Sequence, residues 1–304
     1  MKRIALAAAL LVSLAAPAWA GLDEGWAAYE RGDYEAALRE WRPLADRGHA
    51  SAQNNLGVMY AAGQGVKQDF AEAATWHRRA AEQGNADAQN NLGVMYANGQ
   101  GVPQDFAEAV TWYRRAAEQG NARAQALLAG MYAAGRGVPK DYAEAATWYR
   151  RAAERGYGAA QFILGGMYAR GRGVPQDFAE ALTWYRRAAE QGDVLAQALL
   201  GVRYAKGQGV EQDYAEAVKW YRRAAKQGNT PAQIILGGMY SRGQGVPPNL
   251  VLAHMWLNLA AASSPAGERR DGAVKARDLV AKFMTSFEIE MAQRLVSEWK
   301  PKKE

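Results

Sequence analysis

Apolar and polar positions follow a helical period along residues 106–119. At about 100° per residue, the apolar side chains fall on one arc and the charged ones on the other. Trp112 and Tyr113 belong to the apolar arc, whereas Arg114 and Arg115 belong to the polar one. We therefore predict an amphipathic helix whose aromatic residues point inward and whose arginines point to water.

The stretch Ala86–Asn98 carries a second apolar face, which includes Leu92 and Gly93. We predict a helix that packs through this face on the helix that follows it. Gly93 leaves room for a close approach of the two backbones. The opposite side of the helix carries Asn90 and Asn91.

The boundaries of both helices are marked by capping residues. Asn85 is predicted to cap the first helix, and Gly99 is predicted to end it. Asp105 is predicted to cap the second helix, with Glu108 completing a capping box, and Gly120 ends that helix.

The helix pair recurs without gaps every 36 residues, and one tryptophan marks each unit: Trp76, Trp112, Trp148, Trp184, Trp220 and Trp256. A period held six times indicates a repeat array. We predict an all-α fold, an α-solenoid in which antiparallel helix pairs form a right-handed superhelix.

Four segments are predicted along the chain. They are a signal peptide (1–20), a shorter N-terminal helix pair (21–48), six repeats (49–264) and C-terminal capping helices (265–304). The repeats run 49–84, 85–120, 121–156, 157–192, 193–228 and 229–264. The ends of a solenoid need such caps because an end repeat has no neighbour to cover its face. We expect one capping helix over about 266–283 and another after Thr285, with Glu288 as its capping-box partner.

The first residues have the pattern of a secretory signal. Lys2 and Arg3 precede an apolar run, and Ala18-Trp19-Ala20 resembles a cleavage site. We expect cleavage near Ala20/Gly21 and a periplasmic or secreted protein. No later segment is apolar enough to span a membrane. The net charge of +6 is a modest excess for 304 residues and does not favour a nucleic-acid partner.

The unit "LGVMYANGQGVPQDFAEAVTWYRRAAEQG", at residues 92–120, resembles the SEL-one-like repeat (SLR) family, a relative of the tetratricopeptide repeats (TPR). The resemblance covers about residues 48–262. It implies an α-solenoid that binds other proteins, and bacterial members are often exported adaptors or regulators of the cell envelope. One cysteine-rich branch is linked to β-lactam binding or hydrolysis, whereas this chain has no cysteine.

Residues with catalytic or metal-binding chemistry are scattered along the chain. His49, His77 and His254 lie in different units, with no second ligand at a metal spacing, so we interpret them as structural. The Gly-x-Gly stretches, such as the one at 63–65, recur in all six units and are interpreted as connectors. We predict no catalytic residue, no cofactor and no metal.

Five arginine pairs recur with the repeat: Arg78/Arg79, Arg114/Arg115, Arg150/Arg151, Arg186/Arg187 and Arg222/Arg223. They could form an anion-binding stripe for acidic envelope polymers, or they could be a solvated outer face. We favour the solvated face. A glutamate follows the first arginine of four pairs by four residues, so pairing along the helix would partly neutralise the stripe.

The variable side of the first helix is the predicted binding surface. Its paired positions are Asn54/Asn55, Asn90/Asn91, Ala126/Leu127, Phe162/Ile163, Ala198/Leu199 and Ile234/Ile235. The apolar pairs could instead pack against the next unit. The predicted partner-binding residues are Asn54, Asn55, Asn90, Asn91, Leu127, Phe162, Ile163, Leu199, Arg203 and Ile234.

The preferred hypothesis is a non-enzymatic scaffold or adaptor of the bacterial cell envelope. We expect a monomer that binds a protein or peptide partner on its concave face. Two alternatives stay open at this point. One is an enzyme that acts on cell-wall or β-lactam substrates, as the cysteine-rich relatives suggest. The other is a binder of acidic envelope polymers that uses the arginine pairs.

Overall fold

The computed structural model describes residues 20–301. Within this range the secondary structure is helical, with no strand. The predicted signal peptide lies outside the described residues, apart from Ala20. The chain divides into two compact units, Met1–Asn121 and Ala122–Glu304.

The first unit contains six helices: α1 (Ala20–Glu30), α2 (Tyr34–Asp46), α3 (Ala50–Ala62), α4 (Phe70–Glu82), α5 (Ala86–Asn98) and α6 (Phe106–Glu118). They form the pairs α1–α2, α3–α4 and α5–α6. The second helix of each of the first two pairs also packs on the first helix of the next pair.

The second unit contains ten helices: α7 (Ala122–Ala134), α8 (Tyr142–Glu154), α9 (Gly158–Arg170), α10 (Phe178–Glu190), α11 (Val194–Lys206), α12 (Tyr214–Lys226), α13 (Thr230–Arg242), α14 (Leu250–Ser263), α15 (Glu268–Ala281) and α16 (Ser286–Glu298). The helices α7–α14 pair in the same way as those of the first unit, and α15 and α16 pack on α14. The predicted all-α solenoid is therefore confirmed.

The core of each repeat lies between its two helices. Trp112 and Tyr113 of α6 are buried, and so are Leu92 and Gly93 of α5, as their apolar arcs predict. A Cβ atom added at Gly93 would lie 2.7 Å from the Tyr113 ring. The missing side chain therefore sets how closely the two helices approach.

The predicted helix ends are confirmed, but the capping box of α6 is wrong. The Asp105 carboxylate accepts hydrogen bonds from the backbone N–H groups of Ala107 and Glu108, at 2.8 and 3.0 Å. The N–H of Asp105 donates to the Tyr96 carbonyl at 2.9 Å, so it is not available to Glu108. In the C-terminal cap, by contrast, the predicted capping box between Thr285 and Glu288 is present.

Each connector has a structural role that requires glycine. Gly99 ends α5 with a φ of 67°, in the left-handed region. Gly101 also has a positive φ, of 70°, and a Cβ added there would lie 2.0 Å from the Phe70 carbonyl oxygen. The second glycine of the Gly-x-Gly stretch thus lets the connector rest on the start of α4 in the preceding repeat. This supports the interpretation of these stretches as connectors.

Candidate functional site

The apolar residues predicted as binding positions lie on the first helices of the second unit. Leu127, Phe162, Leu199 and Ile234 are half-buried, and Ile163 is 38% exposed. These side chains are therefore only partly used in packing within the repeat array. The sequence alone left open whether they pack or bind, and the structure shows that each of them keeps some exposed surface.

Three of these positions come together in one pocket. Phe162 and Ile163 of α9 and Leu199 of α11 line a cavity of about 220 Å³. Tyr185 of α10 forms part of its wall, with its ring centroid 5.8 Å from that of Phe162. Helices of successive repeats thus contribute to a single partly apolar site.

Arginines surround this pocket. Arg170 and Arg172 line it directly, and the Arg172 guanidinium lies over the Tyr142 ring, 5.0 Å from its centroid. Arg203 also approaches Tyr185: burial raises the pKa of the Tyr185 hydroxyl, and Arg203 opposes that shift. The pocket therefore combines apolar walls with positive charge at its rim.

Arg203, predicted as a binding residue, occupies a position where other repeats carry methionine. It is half-buried, and its guanidinium lies over the Phe178 ring at 5.0 Å from the centroid. Its Nη1 donates to Gln208 Oε1 at 3.3 Å. The structure places this charge next to the pocket that Phe162 lines, through its contact with Tyr185.

A second apolar pocket of about 350 Å³ lies in the same unit, where α15 packs against the last repeat. Ile234, Ile235 and Arg242 of α13 line it together with Leu279 of α15. Leu279 is 57% exposed. The combination of two apolar residues and an arginine on a first helix therefore occurs twice.

The four predicted asparagines lie in the first unit and differ in exposure. Asn54 and Asn91 are half-buried, whereas Asn55 and Asn90 are buried. Asn54 Oδ1 accepts a hydrogen bond from Asn91 Nδ2 at 3.2 Å. Because their side chains are covered, Asn55 and Asn90 do not offer their amides to a partner in this conformation. The helical wheel placed Asn90 on the open side of its helix, whereas the structure buries it.

His77 has a structural environment. It is 2% exposed and lies against Gly57, whose missing side chain makes space for the ring. The imidazole Nδ1 lies 3.1 Å from Asn54 Oδ1, to which it donates. Burial lowers the pKa of His77 from 6.5 to about 4, so the ring is neutral at pH 7. Between residues 20 and 301, no cluster of three or more His, Cys, Asp or Glu side chains could hold a metal ion.

The arginine pairs do not form a free charged stripe. Arg78 donates to the Tyr96 hydroxyl at 2.8 Å, and the first arginine of other pairs contacts the equivalent tyrosine: Arg150–Tyr168, Arg186–Tyr204 and Arg222–Tyr240. The second arginine stacks on the tryptophan three residues earlier, as Arg79 does on Trp76 at 4.7 Å. Six of these ten arginines are exposed and four are half-buried, so they face water as predicted, and in addition their guanidinium groups contact aromatic side chains.

The predicted pairing with glutamates four residues later is not observed at Arg78, Arg150 and Arg186, whose guanidinium groups donate to tyrosine hydroxyls. Arg78 reaches Tyr96, not Glu82. Arg78 bonds to the partly buried Tyr96 hydroxyl because an exposed ion pair along a helix contributes little to stability.

Two surfaces of the second unit were not identified from the sequence. One is a column of basic residues near the ends of the first helices: Arg170, Lys206 and Arg242, at intervals of 36 residues. The other is a set of exposed apolar side chains on and around the C-terminal helices: Leu279, Phe283, Phe287, Met291 and Leu295. The repeat spacing could have revealed the first, whereas the second depends on which face of α16 packs on α14.

The helix pairs of the structure coincide with the repeats that comparison with known protein families identifies in this chain. The Sel1 repeat family model matches residues 50–85, 86–121, 122–157, 158–193, 194–229 and 230–264. These ranges begin one residue later than the repeats predicted from the sequence. Among curated proteins, none is similar enough to count as a match.

Two of the solved structures that are similar to this chain show the same kind of repeat fold. A Sel1 repeat protein from Oxalobacter formigenes is 38% identical, with a TM-score of 0.67 over 82% of this chain and 98% of that protein. A protective antigen present in uropathogenic Escherichia coli strains, which displays an SLR fold, is 28% identical, with a TM-score of 0.52 over 92% of this chain and 83% of that antigen. Since the family model covers most of the chain, this protein belongs to the Sel1 repeat family.

Proposed function

We propose that this protein is a non-enzymatic adaptor of the bacterial cell envelope that binds a partner protein through the first helices of its second unit. Sel1 repeat proteins are in general protein-interaction scaffolds. The observation that carries the proposal is the pocket that Phe162, Ile163 and Leu199 line together. These three residues occupy two repeat positions that vary between repeats, whereas the residues that pack each repeat recur.

The pocket suits one apolar side chain of a partner. Full burial of a side chain such as leucine or phenylalanine contributes about 1.5–3 kcal/mol, so one anchor supplies part of a specific affinity. The neighbouring exposed positions, including Ile163, would add contacts around that anchor. A peptide or a helix of the partner could present such a side chain.

We also propose that the protein is a monomer located in the periplasm. The sequence pattern of residues 1–20 supports export to the periplasm, with the mature chain starting near Gly21. From residue 20 to residue 301, no helix is long and apolar enough to cross a membrane. Fractionation of cells and N-terminal sequencing of the exported protein test the location, and recovery of the intact chain in the cytoplasm would contradict it.

The binding surface is tested by photo-crosslinking in cells. A photoreactive amino acid placed at Ile163 should capture a partner that mass spectrometry identifies. The same amino acid at Thr183, which is exposed on the second helix α10, serves as the control. The purified partner is then titrated against the wild-type protein and against the variant Phe162→Asp/Leu199→Asp.

We expect the double variant to lose most of its affinity, because a charge in the pocket removes the apolar contact and must be desolvated. The variant Thr183→Asp should bind as the wild type does. Circular dichroism confirms that all three proteins keep the same helicity. Unchanged affinity of the double variant would show that the partner binds elsewhere.

A further inference from the structure

At one position of the repeat, the last three repeats carry a basic residue and the first three do not. The position is Ala62, Asn98 and Ala134 in the first three repeats, and Arg170, Lys206 and Arg242 in the next three. These three basic residues lie in the last turn of α9, α11 and α13. Because equivalent positions face the same way in successive repeats, they form a basic column in the second unit.

Two glycines place the guanidinium groups of this column. Arg170 Nη1 donates to the Gly166 carbonyl at 3.3 Å, and a Cβ added at Gly166 would lie only 3.1 Å from that nitrogen. A Cβ added at Gly238 would likewise lie 3.1 Å from Arg242 Nη1. Both arginines therefore fold back along their own helices, toward the apolar positions one to two turns earlier.

The result is the same combination of groups in two repeats. Arg170 lines the pocket of Phe162 and Ile163, and Arg242 lines the pocket of Ile234 and Ile235. Neither pocket is lined by an aspartate or a glutamate. Among residues 20–301, no ion pair is formed by Arg170, Arg172 or Arg242. Their positive charge is therefore not neutralised by the protein itself.

We propose that this surface recognises a partner segment in which acidic side chains accompany apolar ones. An apolar side chain would enter the pocket of Phe162, and carboxylates of the same segment would pair with Arg170, Lys206 and Arg242. This inference rests on the proposed function, since it names the chemistry of the partner that the same surface binds. Complementary charge of this kind gives specificity and a faster association rate.

The apolar component argues against a purely anionic ligand. A polymer of phosphates or carboxylates would pair with the arginines but would leave Phe162 and Leu199 uncovered. Binding of a simple polyanion depends on salt and needs no apolar residue. The two kinds of ligand therefore differ in their response to substitutions in the pocket.

The test uses a display library of random twelve-residue peptides selected on the full-length protein. Selection is repeated on a variant without the basic column, Arg170→Gln/Lys206→Gln/Arg242→Gln, and on the pocket variant Phe162→Asp/Leu199→Asp. A control variant, Arg123→Gln/Arg155→Gln/Lys226→Gln, removes the same charge from other exposed positions of the second unit. The best peptides are synthesised and titrated, and polyglutamate is titrated as a purely anionic ligand.

We expect the selected peptides to be enriched in both acidic and apolar residues. Loss of the basic column should weaken their binding about tenfold, because three exposed ion pairs are lost and each contributes only modestly. The control variant should bind within about twofold of the wild type. Binding to the wild type should weaken as salt is raised, and polyglutamate should bind less tightly than the selected peptides.

Three results would overturn the inference. Peptides without acidic residues that are lost in the pocket variant would contradict it while leaving the proposed function intact. Acidic peptides whose affinity survives loss of the column would place the charge recognition elsewhere. Polyglutamate that binds as tightly as the selected peptides would identify a polyanion site. Equal selection on the pocket variant would instead reject the proposed binding surface itself.

Discussion

The Arg78 guanidinium donates a hydrogen bond of 2.8 Å to the hydroxyl of Tyr96, which lies 18 residues later on the first helix of the next repeat. The equivalent bond between Arg222 and Tyr240 is 2.7 Å long. Because the pair links one repeat to the next in both units, these arginines hold the array together. They are therefore poor candidates for an anion-binding stripe.

Removal of the Tyr96 hydroxyl should destabilise the protein. We expect Tyr96→Phe to lower the free energy of unfolding by about 1 kcal/mol, because hydrogen bonds to charged groups contribute about 1.5–3 kcal/mol and partial exposure weakens this one. Urea denaturation measures the change. In the background Arg78→Gln, the same substitution should cost little, since its partner is already gone. Equal costs in the two backgrounds would mean that the bond does not stabilise the fold.

The same substitution should destabilise the protein at one of two adjacent glycines of α9 and have little effect at the other. A Cβ at Gly165 would lie 2.9 Å from the Tyr185 ring and 3.2 Å from the Ala181 carbonyl oxygen. Gly165→Val should therefore lower the free energy of unfolding by about 3 kcal/mol through overpacking. Gly166→Val should be close to neutral, because a Cβ there would meet the far end of the long Arg170 side chain at 3.1 Å and the Tyr185 hydroxyl at an ordinary contact distance of 3.6 Å.

The repeats provide a built-in comparison for this pair. The position of Gly166 is occupied by valine in three other repeats, as Val58, Val94 and Val202. Thermal unfolding of the two variants, followed by circular dichroism, measures the difference. If Gly166→Val unfolds at the same lowered temperature as Gly165→Val, close packing of α9 on α10 at Gly165 does not explain the loss of stability.

The buried His77 should make the first unit sensitive to acid. The unfolded chain binds a proton on this residue below about pH 6.5, whereas the folded protein binds it only near pH 4. Between these values the unfolded state holds more protons, so the free energy of unfolding falls as the pH falls. The contribution is fully present above pH 6.5, and about 3 kcal/mol of it is lost by pH 4.

A tyrosine at this position should remove the acid sensitivity. Tyr113 packs against Gly93 at the equivalent place in the next repeat, and a Cβ added at Gly93 would lie 2.7 Å from its ring, as one added at Gly57 would from the His77 ring. His77→Tyr should therefore fold, and it should lose about 3 kcal/mol less stability than the wild type between pH 7.5 and pH 4. Urea denaturation of both proteins at the two pH values makes the comparison. Parallel losses in the two proteins would contradict the burial argument.

One buried amide oxygen of the last repeat has no partner. In four of the five earlier repeats, the buried glutamine of the first helix accepts a hydrogen bond from a glutamine 30 residues later, as Gln197 does from Gln227 at 2.9 Å. The equivalent of Gln227 in the last repeat is Ser263, and the Oε1 atom of Gln233 is buried without a hydrogen bond.

Restoring the missing donor should stabilise the last repeat. We expect Ser263→Gln to raise the free energy of unfolding by about 1 kcal/mol, because it satisfies a buried acceptor. Hydrogen exchange of the α13 and α14 amides measures the local effect. The substitution Ser263→Ala, which offers no donor, is the control and should not increase protection. A gain of the same size in both variants would point to helix propensity instead of the hydrogen bond.

Much of the fold could be predicted from local patterns. The apolar arc of α6 identified Trp112 and Tyr113 as core residues, and both are buried. Asn85 and Asp105 cap their helices because their side chains reach only a few residues along the chain. Predictions of this kind succeed because a helix and its caps depend on residues that are close in sequence.

The binding surface could be predicted only in part. The varying pair Phe162/Ile163 was identified from the sequence, and it does line a pocket. The burial of Asn90 was missed because a helical wheel considers one helix by itself. The basic column was missed because each of its members looks like an ordinary charged residue at a helix end.

The sequence by itself determined the repeat, the helices and the residues that pack within each pair, since a 36-residue period and helical spacing are properties of the chain alone. Only the tertiary structure decided which partner each long polar side chain meets. Arg78 can reach Glu82 on its own helix or Tyr96 on the next, and the packing of successive repeats places the tyrosine hydroxyl at hydrogen-bond distance. The same packing brings Phe162, Leu199 and Arg170 together in one pocket, because residues on different helices become neighbours only when the helices dock.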